Sequence, residues 1–494
     1  MTELRGTFSG ANNMEVELDR DTGHILVVSN RLPAAVDKDE NGQWKVFPSS
    51  GGLVTAMAPV MRRNGGTWIG WPGCPKEAPA EDLLREHSRD ERFELRPVAV
   101  TEDEVARYYR GFSNQTIWPL FHDQLGYCEF DADQWETYCA VNRRFAEMTV
   151  ESIRDNSHVW VHDYQLLLAG RYLRELGVKK SIDFFLHIPF PSSDLIRRLP
   201  WRDEIMYALL DYDHIGFQTR HDYRNFIQSV RIFIEGARVH AKRNHSFVMH
   251  NDRTIELGIY PISIDFSEFD QGARSHEVAE SAWYFRENLR SEKLVLGLDR
   301  LDYTKGIPER FLAFERAMEK YPELRGRLAL VQIVVPSRVT VPQYQGLKER
   351  LDQLAGRING RFSTDRWIPI HYMFRHLNRY QLLGYYKASD IALITPLRDG
   401  MNLVAKEYCA ASIDNNGVLI LSEFAGAADQ LAQGALMVNP YDVERTADAI
   451  FAAFIMDTDE KNRRMKVLRS EVRRNDVHKW LRQFLERETG GPRR

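Results

Sequence analysis

Short apolar runs alternate with longer amphipathic segments along most of the chain. Nine runs have the pattern of strands that are apolar on both faces: Ile25–Ser29, Thr67–Trp71, His158–His162, Ile182–His187, Ile255–Ile262, Leu294–Asp299, Leu328–Val335, Ile391–Thr395 and Val418–Leu421. Such strands are typical of parallel sheets covered by helices on both sides. Charged segments with helical apolar spacing lie between them: Asp133–Arg154, Arg220–Glu235, Pro308–Lys320, Gln343–Arg357 and Arg445–Met456. This order predicts an α/β protein with doubly wound sheets.

The same pattern divides the chain into two similar halves. One strand ends at Ser263-Ile264-Asp265, and the polar stretch Asp270–His276 precedes the next helical spacing. A length of 494 residues has room for two or three domains. We predict two domains, residues 1–264 and 265–475, with ligands binding in the cleft beyond the carboxyl ends of their strands.

Charge and composition exclude several classes of protein. Lys and Arg number 66 against 70 Asp and Glu, so the net charge of −4 offers no field that attracts nucleic acid. The apolar stretches are shorter than the roughly 18 residues of a membrane helix. The four cysteines form no C-x-x-C pair, and Asp-x-Asp recurs too often to mark a metal site. We therefore expect a cytoplasmic protein without a metal or other cofactor and without a membrane or nucleic-acid partner.

Two cations follow a strand of the second half. Arg300 and Lys305 come after Leu294–Asp299, on a loop that ends at Gly306. A guanidinium and an ammonium five residues apart can bind a diphosphate, Arg through its planar fork and Lys as a point charge. The alternative is that both form surface salt bridges with Asp299 and Asp302.

A second loop of this half follows Ile391–Thr395. Asp399 lies just before a predicted helix, where it could cap the helix or accept hydrogen bonds from a sugar. Glu407 lies about two turns further on and could bind the hydroxyls of a ribose. The free amides of residues 400–403 would face the same ligand.

The first half offers a glycine pair and two polar strand ends. Gly51 and Gly52 open a predicted helix, where backbone amides could meet phosphate oxygens, or they belong to a plain loop. Asp163 and His187 lie 24 residues apart, one strand-helix-strand unit, so neighbouring parallel strands would bring both to one rim of the cleft. His187 alone could equally be a buried histidine with satisfied hydrogen bonds.

Together these segments resemble the trehalose-6-phosphate synthase family of retaining glycosyltransferases. The likeness runs from about Ile25 to Leu485 and rests on several motifs in the family's order: Ser29-Asn30-Arg31-Leu32-Pro33, Ser50-Gly51-Gly52-Leu53, Tyr108-Tyr109, Phe112-Ser113-Asn114, Trp118-Pro119, His162-Asp163-Tyr164, His187-Ile188-Pro189-Phe190-Pro191, Arg300–Gly306 and Arg398–Glu407. The resemblance implies the GT-B fold, two Rossmann-like domains facing a cleft, with a last helix over residues 476–488 that packs back on the first domain.

The resemblance also implies the substrates and their residues. UDP-glucose, or another nucleotide glucose, would be the donor and glucose 6-phosphate the acceptor. With the backbone positions above, the donor set is Gly51, Gly52, His187, Arg300, Lys305, Asp399, Gly400, Met401, Asn402, Leu403 and Glu407. The acceptor set is Arg31, Trp71, Tyr109, Trp118, Asp163 and Arg338. Asp163, His187, Arg300, Lys305 and Asp399 would carry the chemistry, and the protein is expected to be a homo-oligomer.

Two other functions fit parts of the pattern. A synthase of glucosylglycerol phosphate would keep the donor loops and differ at the acceptor, whereas a non-catalytic relative would bind sugar phosphates and regulate a partner. The complete acceptor set favours glucose 6-phosphate. The chain departs from the family pattern at Gln165, where many members have histidine, and in a longer segment over residues 33–49.

Overall fold

The computed structural model describes residues 24–49, 51–89, 91–241, 245–289, 291–338 and 341–485. Its strands are β1 His24–Arg31, β2 Ala34–Lys38, β3 Trp44–Pro48, β4 Gly66–Trp71, β5 Phe93–Pro97, β6 Ser157–His162, β7 Ile182–Phe185, β8 His214–Phe217, β9 Arg238–Ala241, β10 His245–His250, β11 Arg253–Ile259, β12 Lys293–Arg300, β13 Leu328–Val335, β14 Ile370–Phe374, β15 Ile391–Ile394, β16 Val418–Ser422 and β17 Leu436–Val438.

The helices surround these strands. They are α1 Gly52–Asn64, α2 Ala80–His87, α3 Glu102–Glu104, α4 Trp118–Phe121, α5 Ala132–Ser152, α6 Ala169–Glu175, α7 Ser193–Ile196, α8 Arg202–Leu209, α9 Arg220–Phe233, α10 Phe266–Gly272, α11 His276–Leu289, α12 Ile307–Lys320, α13 Pro342–Phe362, α14 Arg379–Ala388, α15 Leu403–Ala411, α16 Ala428–Leu431, α17 Val443–Ile455, α18 Thr458–Arg474 and α19 Val477–Leu485. A π-helix, Val105–Ile117, joins α3 to α4. Single 3-10 turns occur at Leu125–Tyr127, Tyr164–Leu166, Tyr303–Lys305 and Pro322–Leu324.

The first sheet has nine strands in the order β5-β4-β1-β6-β7-β8-β11-β10-β9. All neighbours are parallel except β10, which is antiparallel to both β9 and β11. Successive residues of β1 enter opposite cores: Leu26 and Val28 pack in one, Ile25 and Val27 in the other. The sequence pattern therefore predicted correctly that this strand is buried on both faces.

The second sheet has six parallel strands in the order β14-β13-β12-β15-β16-β17. Numbered along the chain, this is 3-2-1-4-5-6, the order of dinucleotide-binding sheets, and β1 and β4–β8 of the first sheet follow it too. Ligands bind where such an order reverses, which here is beyond β1 and β6 in one sheet and beyond β12 and β15 in the other. The prediction of α/β architecture is confirmed.

Eight strands were not predicted: β2, β3, β5, β8, β9, β10, β14 and β17. β9 and β10 lie at one end of the first sheet, and β2 and β3 form a hairpin within the long segment 33–49. These four strands are partly exposed and pair antiparallel, so they lack the continuous apolar run of a central parallel strand. β8 is buried and parallel, but a histidine and a glycine interrupt its apolar run.

The last described helix lies against the first sheet. The Trp480 indole N–H donates to the Tyr260 carbonyl at 3.1 Å, and the Phe484 ring stacks on Trp160 with centroids 4.3 Å apart. Residues 486–488 of the predicted helix 476–488 lie outside the described residues. None of the helices in the described ranges is long and apolar enough to cross a membrane.

Candidate active site

Asp163 and His187 lie side by side where β6 and β7 end. The Asp163 amide donates to the Phe185 carbonyl at 2.8 Å, and the His187 amide donates to Asp163 Oδ1 at 3.2 Å. Asp163 holds a left-handed backbone conformation with φ of 77°. This costs free energy for a residue with a Cβ and is characteristic of functional sites. The neighbouring strands therefore bring the two side chains to one rim, as their spacing indicates.

Burial shifts the titration of this pair in opposite directions. It raises the pKa of Asp163 to about 7, against the opposing charges of Arg300 and Arg338. It lowers the pKa of His187 to about 3. His187 Nε2 lies 3.0 Å from Nδ1 of His162, whose pKa is also lowered by burial. Near pH 7 both rings are therefore neutral and share one hydrogen bond.

Arg300 and Lys305 have different surroundings. Lys305 is buried, and its Nζ donates to Asp399 Oδ2 at 2.6 Å. Arg300 is exposed, and its side chain forms no ion pair or hydrogen bond with any described residue. The alternative in which both cations pair with Asp299 and Asp302 is wrong. Asp299 forms its ion pair with Arg310, and neither carboxylate binds Arg300 or Lys305.

A buried arginine that the sequence analysis missed supports this loop. Arg310 on α12 is 1% exposed and pairs with Asp299; its Nε donates to Thr395 Oγ1 at 3.1 Å. It thus joins the end of β12 to the loop that follows β15. Gly306 is required here, since its φ is +61° and a Cβ would lie 2.2 Å from the Thr395 carbonyl oxygen. An arginine within the apolar face of α12 was the available signal.

Asp399 is not the cap of the following helix. Asn402 caps α15 by accepting a hydrogen bond from the Ala405 amide at 3.3 Å, and its Nδ2 donates to Asp399 Oδ2 at 3.1 Å. Burial acts to raise the pKa of Asp399, but Lys305 brings it below its usual value. Asp399 is therefore ionised and held by two donors at the entrance of the helix.

Glu407 on α15, a candidate for binding the nucleotide-sugar donor, has a different hydrogen-bond partner. Glu407 Oε2 accepts a hydrogen bond from Tyr386 at 2.5 Å, and burial raises the pKa of Glu407 despite that bond. The tyrosine on α14 was not identified from the sequence.

The remaining candidates for binding the nucleotide-sugar donor lie where main-chain segments of the two domains approach each other. Gly400 lies against the first domain so closely that a Cβ would be 2.1 Å from the His187 carbonyl oxygen. A Cβ on Gly52 would lie 3.2 Å from Leu403 Cδ1, whereas Gly51, the N-cap of α1, faces open space. Met401 is buried, and its carbonyl accepts from the Ala427 amide at 2.8 Å. Ser50 lies outside the described residues.

Three acceptor candidates line a cavity of about 240 Å³ beside β1. Arg31, Trp71 and Tyr109 contribute to its wall. The Arg31 guanidinium lies 4.4 Å from the centroid of the Trp71 ring, and that ring meets Tyr109 edge-on. An aromatic wall beside a cation suits a sugar that carries an anionic group.

Arg338 reaches this region from the second domain. Its guanidinium lies 4.4 Å from the centroid of Trp118, and Nη2 donates to the Tyr164 hydroxyl at 3.2 Å. Nη1 donates to Tyr344 at 2.5 Å. Nε is buried and, among the described residues, has no hydrogen-bond partner. The residue bridges the two domains and retains a donor for a ligand.

Three arginines act electrostatically on the Tyr109 hydroxyl. Burial acts to raise the pKa of its hydroxyl, but the guanidinium groups of Arg338, Arg31 and Arg300 together bring it below its usual value. Arg31 comes from the first domain and the other two from the second. Within the described ranges no three His, Cys, Asp or Glu side chains are grouped as metal ligands. The site is instead rich in fixed positive charge, which suits phosphate groups on both substrates.

His122, another residue that the sequence analysis missed, should make stability depend on pH. It is buried, its Nδ1 lies 2.8 Å from the Trp118 carbonyl oxygen, and burial lowers its pKa to about 4. The unfolded chain takes up a proton near pH 6.5 and the folded chain does not, so stability falls as the pH drops from 6.5 to 4. His122→Gln should reduce this fall by up to about 3 kcal/mol in urea unfolding at each pH.

The control for this measurement is His87→Gln, which changes an exposed histidine on α2. A His122→Gln chain that loses as much stability in acid as the His87→Gln chain would contradict the assignment.

Comparison with known proteins gives consistent matches over nearly the whole chain. The model of glycosyltransferase family 20 matches residues 23–489. A trehalose-6-phosphate synthase of Mycobacterium avium (strain 104) is 43% identical over 482 residues, which cover 95% of this chain and 96% of that protein. One from Mycolicibacterium vanbaalenii is 41% identical over 472 residues, which cover 94% and 95%.

Solved structures match over a similar share of the chain. An α,α-trehalose-phosphate synthase (UDP-forming) from Burkholderia xenovorans, in complex with glucose-6-phosphate, is 34% identical with a TM-score of 0.85 and covers 94% of this chain and 99% of its own. An E. coli structure bound with UDP-2-fluoro glucose is also 34% identical, with a TM-score of 0.83 and coverage of 94% and 98%.

Proposed function

The chain belongs to glycosyltransferase family 20, and we propose on that premise that it transfers glucose from UDP-glucose to glucose 6-phosphate, giving trehalose 6-phosphate and UDP. Its fold is GT-B. The observation that carries the assignment is that Arg31 packs on Trp71 beside Tyr109 while Arg338 reaches from the second sheet's domain to Trp118 and Tyr164. Cations from both domains meet where a donor diphosphate and an acceptor phosphate would lie on either side of the reacting sugar.

The second domain, residues 265–475, holds the donor in this proposal. Arg300 and Lys305 bind the diphosphate, one as an unpaired guanidinium and the other as an ammonium whose charge Asp399 partly balances. The amides of residues 400–403 at the start of α15 lie at the positive end of a helix dipole and face the same group. Glu407 binds the ribose, and Gly51 and Gly52 approach the donor from α1.

The first domain, residues 1–264, holds the acceptor. Arg31 and the bridging Arg338 neutralise the phosphate of glucose 6-phosphate, while Trp71, Tyr109 and Trp118 pack on the hexose. His187 and Asp399 bind hydroxyls of the transferred glucose, and Asp163 lies between the two sugars. The helix α19, the described part of the predicted helix 476–488, belongs with this domain, and its contacts through Trp480 and Phe484 support that arrangement.

The reaction in this arrangement is a substitution on one face of the sugar. The bond from the anomeric carbon to the diphosphate breaks as an oxocarbenium-like state forms, and the departing diphosphate accepts the proton of the acceptor hydroxyl. The configuration is retained. Arg300 and Lys305 stabilise the charge that develops on the leaving group, because they are in place before the bond breaks. A neutral His187 can bind a hydroxyl without adding a second positive charge beside the cationic sugar.

The test is an assay of the purified chain with each nucleotide glucose and either glucose 6-phosphate or glycerol 3-phosphate. We expect UDP-glucose and glucose 6-phosphate to give a product with the mass of trehalose 6-phosphate, and NMR coupling constants to show two α-anomeric protons. Product from glycerol 3-phosphate alone would replace this function with glucosylglycerol-phosphate synthesis. UDP-glucose binding without turnover of either acceptor would indicate the regulatory alternative.

Arg31→Ala should affect the acceptor and spare the donor. A lost charge-assisted hydrogen bond costs about 1.5–3 kcal/mol, so the KM for glucose 6-phosphate should rise about 10- to 100-fold. The dissociation constant of UDP, measured by calorimetry, should stay within about twofold. Arg238→Ala on edge strand β9 serves as the control. A larger effect on UDP binding than on the KM for glucose 6-phosphate would mean that Arg31 binds the donor and not the acceptor.

Assembly and location extend the proposal. We propose a homo-oligomer, supported by the exposed rings of Trp283 and Tyr284 on α11 and Tyr380 on the adjoining α14, since exposed aromatic surface marks interfaces. Light scattering at micromolar concentration tests this, and a monomer mass would refute it.

We also propose a cytoplasmic location, supported by four cysteines that are all free thiols.

A further inference from the structure

A second cationic cavity lies in the second domain, outside the donor and acceptor sets. It has a volume of about 310 Å³ and is bounded by α18 and by the loop of residues 412–417 that connects α15 to β16. Arg274, Lys466, Arg469 and Arg473 line it, and no acidic residue is among its lining residues. Its size lies at the lower end of the range for small-molecule sites.

Charge pairing on α18 differs between the cations that line the cavity and those that do not. Outside the lining, Arg463 and Arg464 pair with Glu460, and Arg474 pairs with Glu471. On the cavity side, Lys466 and Arg473 form no ion pair with any described residue. The helix thus neutralises its other arginines locally and leaves two cations uncompensated where the cavity opens.

The base of the cavity is preorganised. Arg469 is buried, and its Nη1 donates to the Cys409 carbonyl at 3.1 Å at the end of α15. Arg469 and Arg274 both bind the carboxylate of Asp270, and Asp414 of the loop also acts on Arg274 and helps to raise its pKa. The four cations therefore face two carboxylates, and positive charge remains in excess. Bound in this way, Arg469 contributes a fixed positive potential without losing side-chain entropy when a ligand arrives.

The spacing of the cations indicates the shape of the ligand. Lys466, Ser470 and Arg473 follow one another at intervals of four and three residues, so they share one face of α18. Seven residues at a rise of 1.5 Å separate the backbones of Lys466 and Arg473 by about 10 Å. A molecule with an anionic group near each end meets both cations and the Ser470 hydroxyl between them.

We propose that this cavity binds a small phosphorylated metabolite that carries two anionic groups. The loop of residues 412–417 closes one side of the cavity and directly follows α15, whose other end carries the donor residues. A bound anion therefore joins α18 to the segment that follows the donor helix.

The experiment titrates the full chain, saturated with UDP, with fructose 1,6-bisphosphate in a calorimeter. Lys466→Gln/Arg473→Gln should weaken the binding at least tenfold. The matched control Arg463→Gln/Arg474→Gln removes two charges from the same helix outside the cavity and should change it less than twofold. Binding in the catalytic cleft is common to the three chains and cancels in the comparison. Amide hydrogen exchange over residues 412–417 should slow in the wild-type and control chains only.

Three results would overturn the proposal. One is equal affinity in the cavity variant and the control. Another is equal binding of fructose, which lacks the anionic groups. The third is protection from exchange that is confined to the catalytic cleft. All four changed side chains are exposed, so the variants test binding rather than folding.

Discussion

Arg300→Ala should lower kcat by about 10²–10³-fold, because removing one preorganised group that stabilises developing negative charge has an effect of this size. Arg300 is exposed and unpaired among the described residues, so the free energy of unfolding should change by less than about 0.5 kcal/mol. Arg300→Lys should recover only part of the activity, since an ammonium lacks the planar fork that binds two phosphate oxygens.

Steady-state kinetics and urea unfolding on the same preparations check this expectation. Arg366→Ala, which changes an exposed arginine in the turn before β14, is the matched control and should be fully active. An Arg300→Ala enzyme within threefold of wild-type kcat would remove Arg300 from the proposed diphosphate site.

Lys305→Met should lose both activity and stability. The change leaves the Asp399 carboxylate buried without its ammonium partner, and breaking a buried pair in this way costs about 3–5 kcal/mol. The pKa of Asp399 should rise, because Lys305 is the main group that lowers it. Turnover should fall at least a hundredfold, since the diphosphate loses one of its two cations.

The double variant Lys305→Met/Asp399→Asn separates the two effects. Neutralising the carboxylate should restore most of the stability, measured by urea unfolding, while turnover stays low. Recovery of activity in the double variant would mean that Lys305 serves only to neutralise Asp399. A double variant as unstable as Lys305→Met would mean that the ion pair is not the source of the loss.

Continuous apolar runs predicted most of the central strands because burial on both faces leaves little room for polar residues; β8, which contains His214 and Gly216, was not predicted. The run Leu328–Val335 coincides with β13. The same pattern could not predict the order of the strands, because β1 pairs with β4 and β6 through contacts between distant parts of the chain. The edge strand β9 and its neighbour β10 escaped prediction because solvent-exposed residues interrupt the apolar pattern of each.

The sequence predicted which residues form the candidate site but not which of them contact each other. Lys305 and Asp399 are 94 residues apart, and nothing local indicates that they form a buried pair. The sequence analysis offered two roles for Lys305, a diphosphate contact or a surface salt bridge with Asp299 or Asp302, and neither gave a reason to expect the loss of stability described above. Arg338 likewise could be named from resemblance, whereas its bridge to Trp118 and Tyr164 depends on how the domains close.

Gly400 lies directly against the His187 backbone, and this contact sets the separation of the lobes at the sugar. A methyl group at this position would act as a spacer between two rigid main chains, and neither can move aside without displacing β7 or the entrance of α15. Substitutions of side chains deeper in the cleft of this chain can therefore alter which sugars fit without changing the main-chain separation at Gly400.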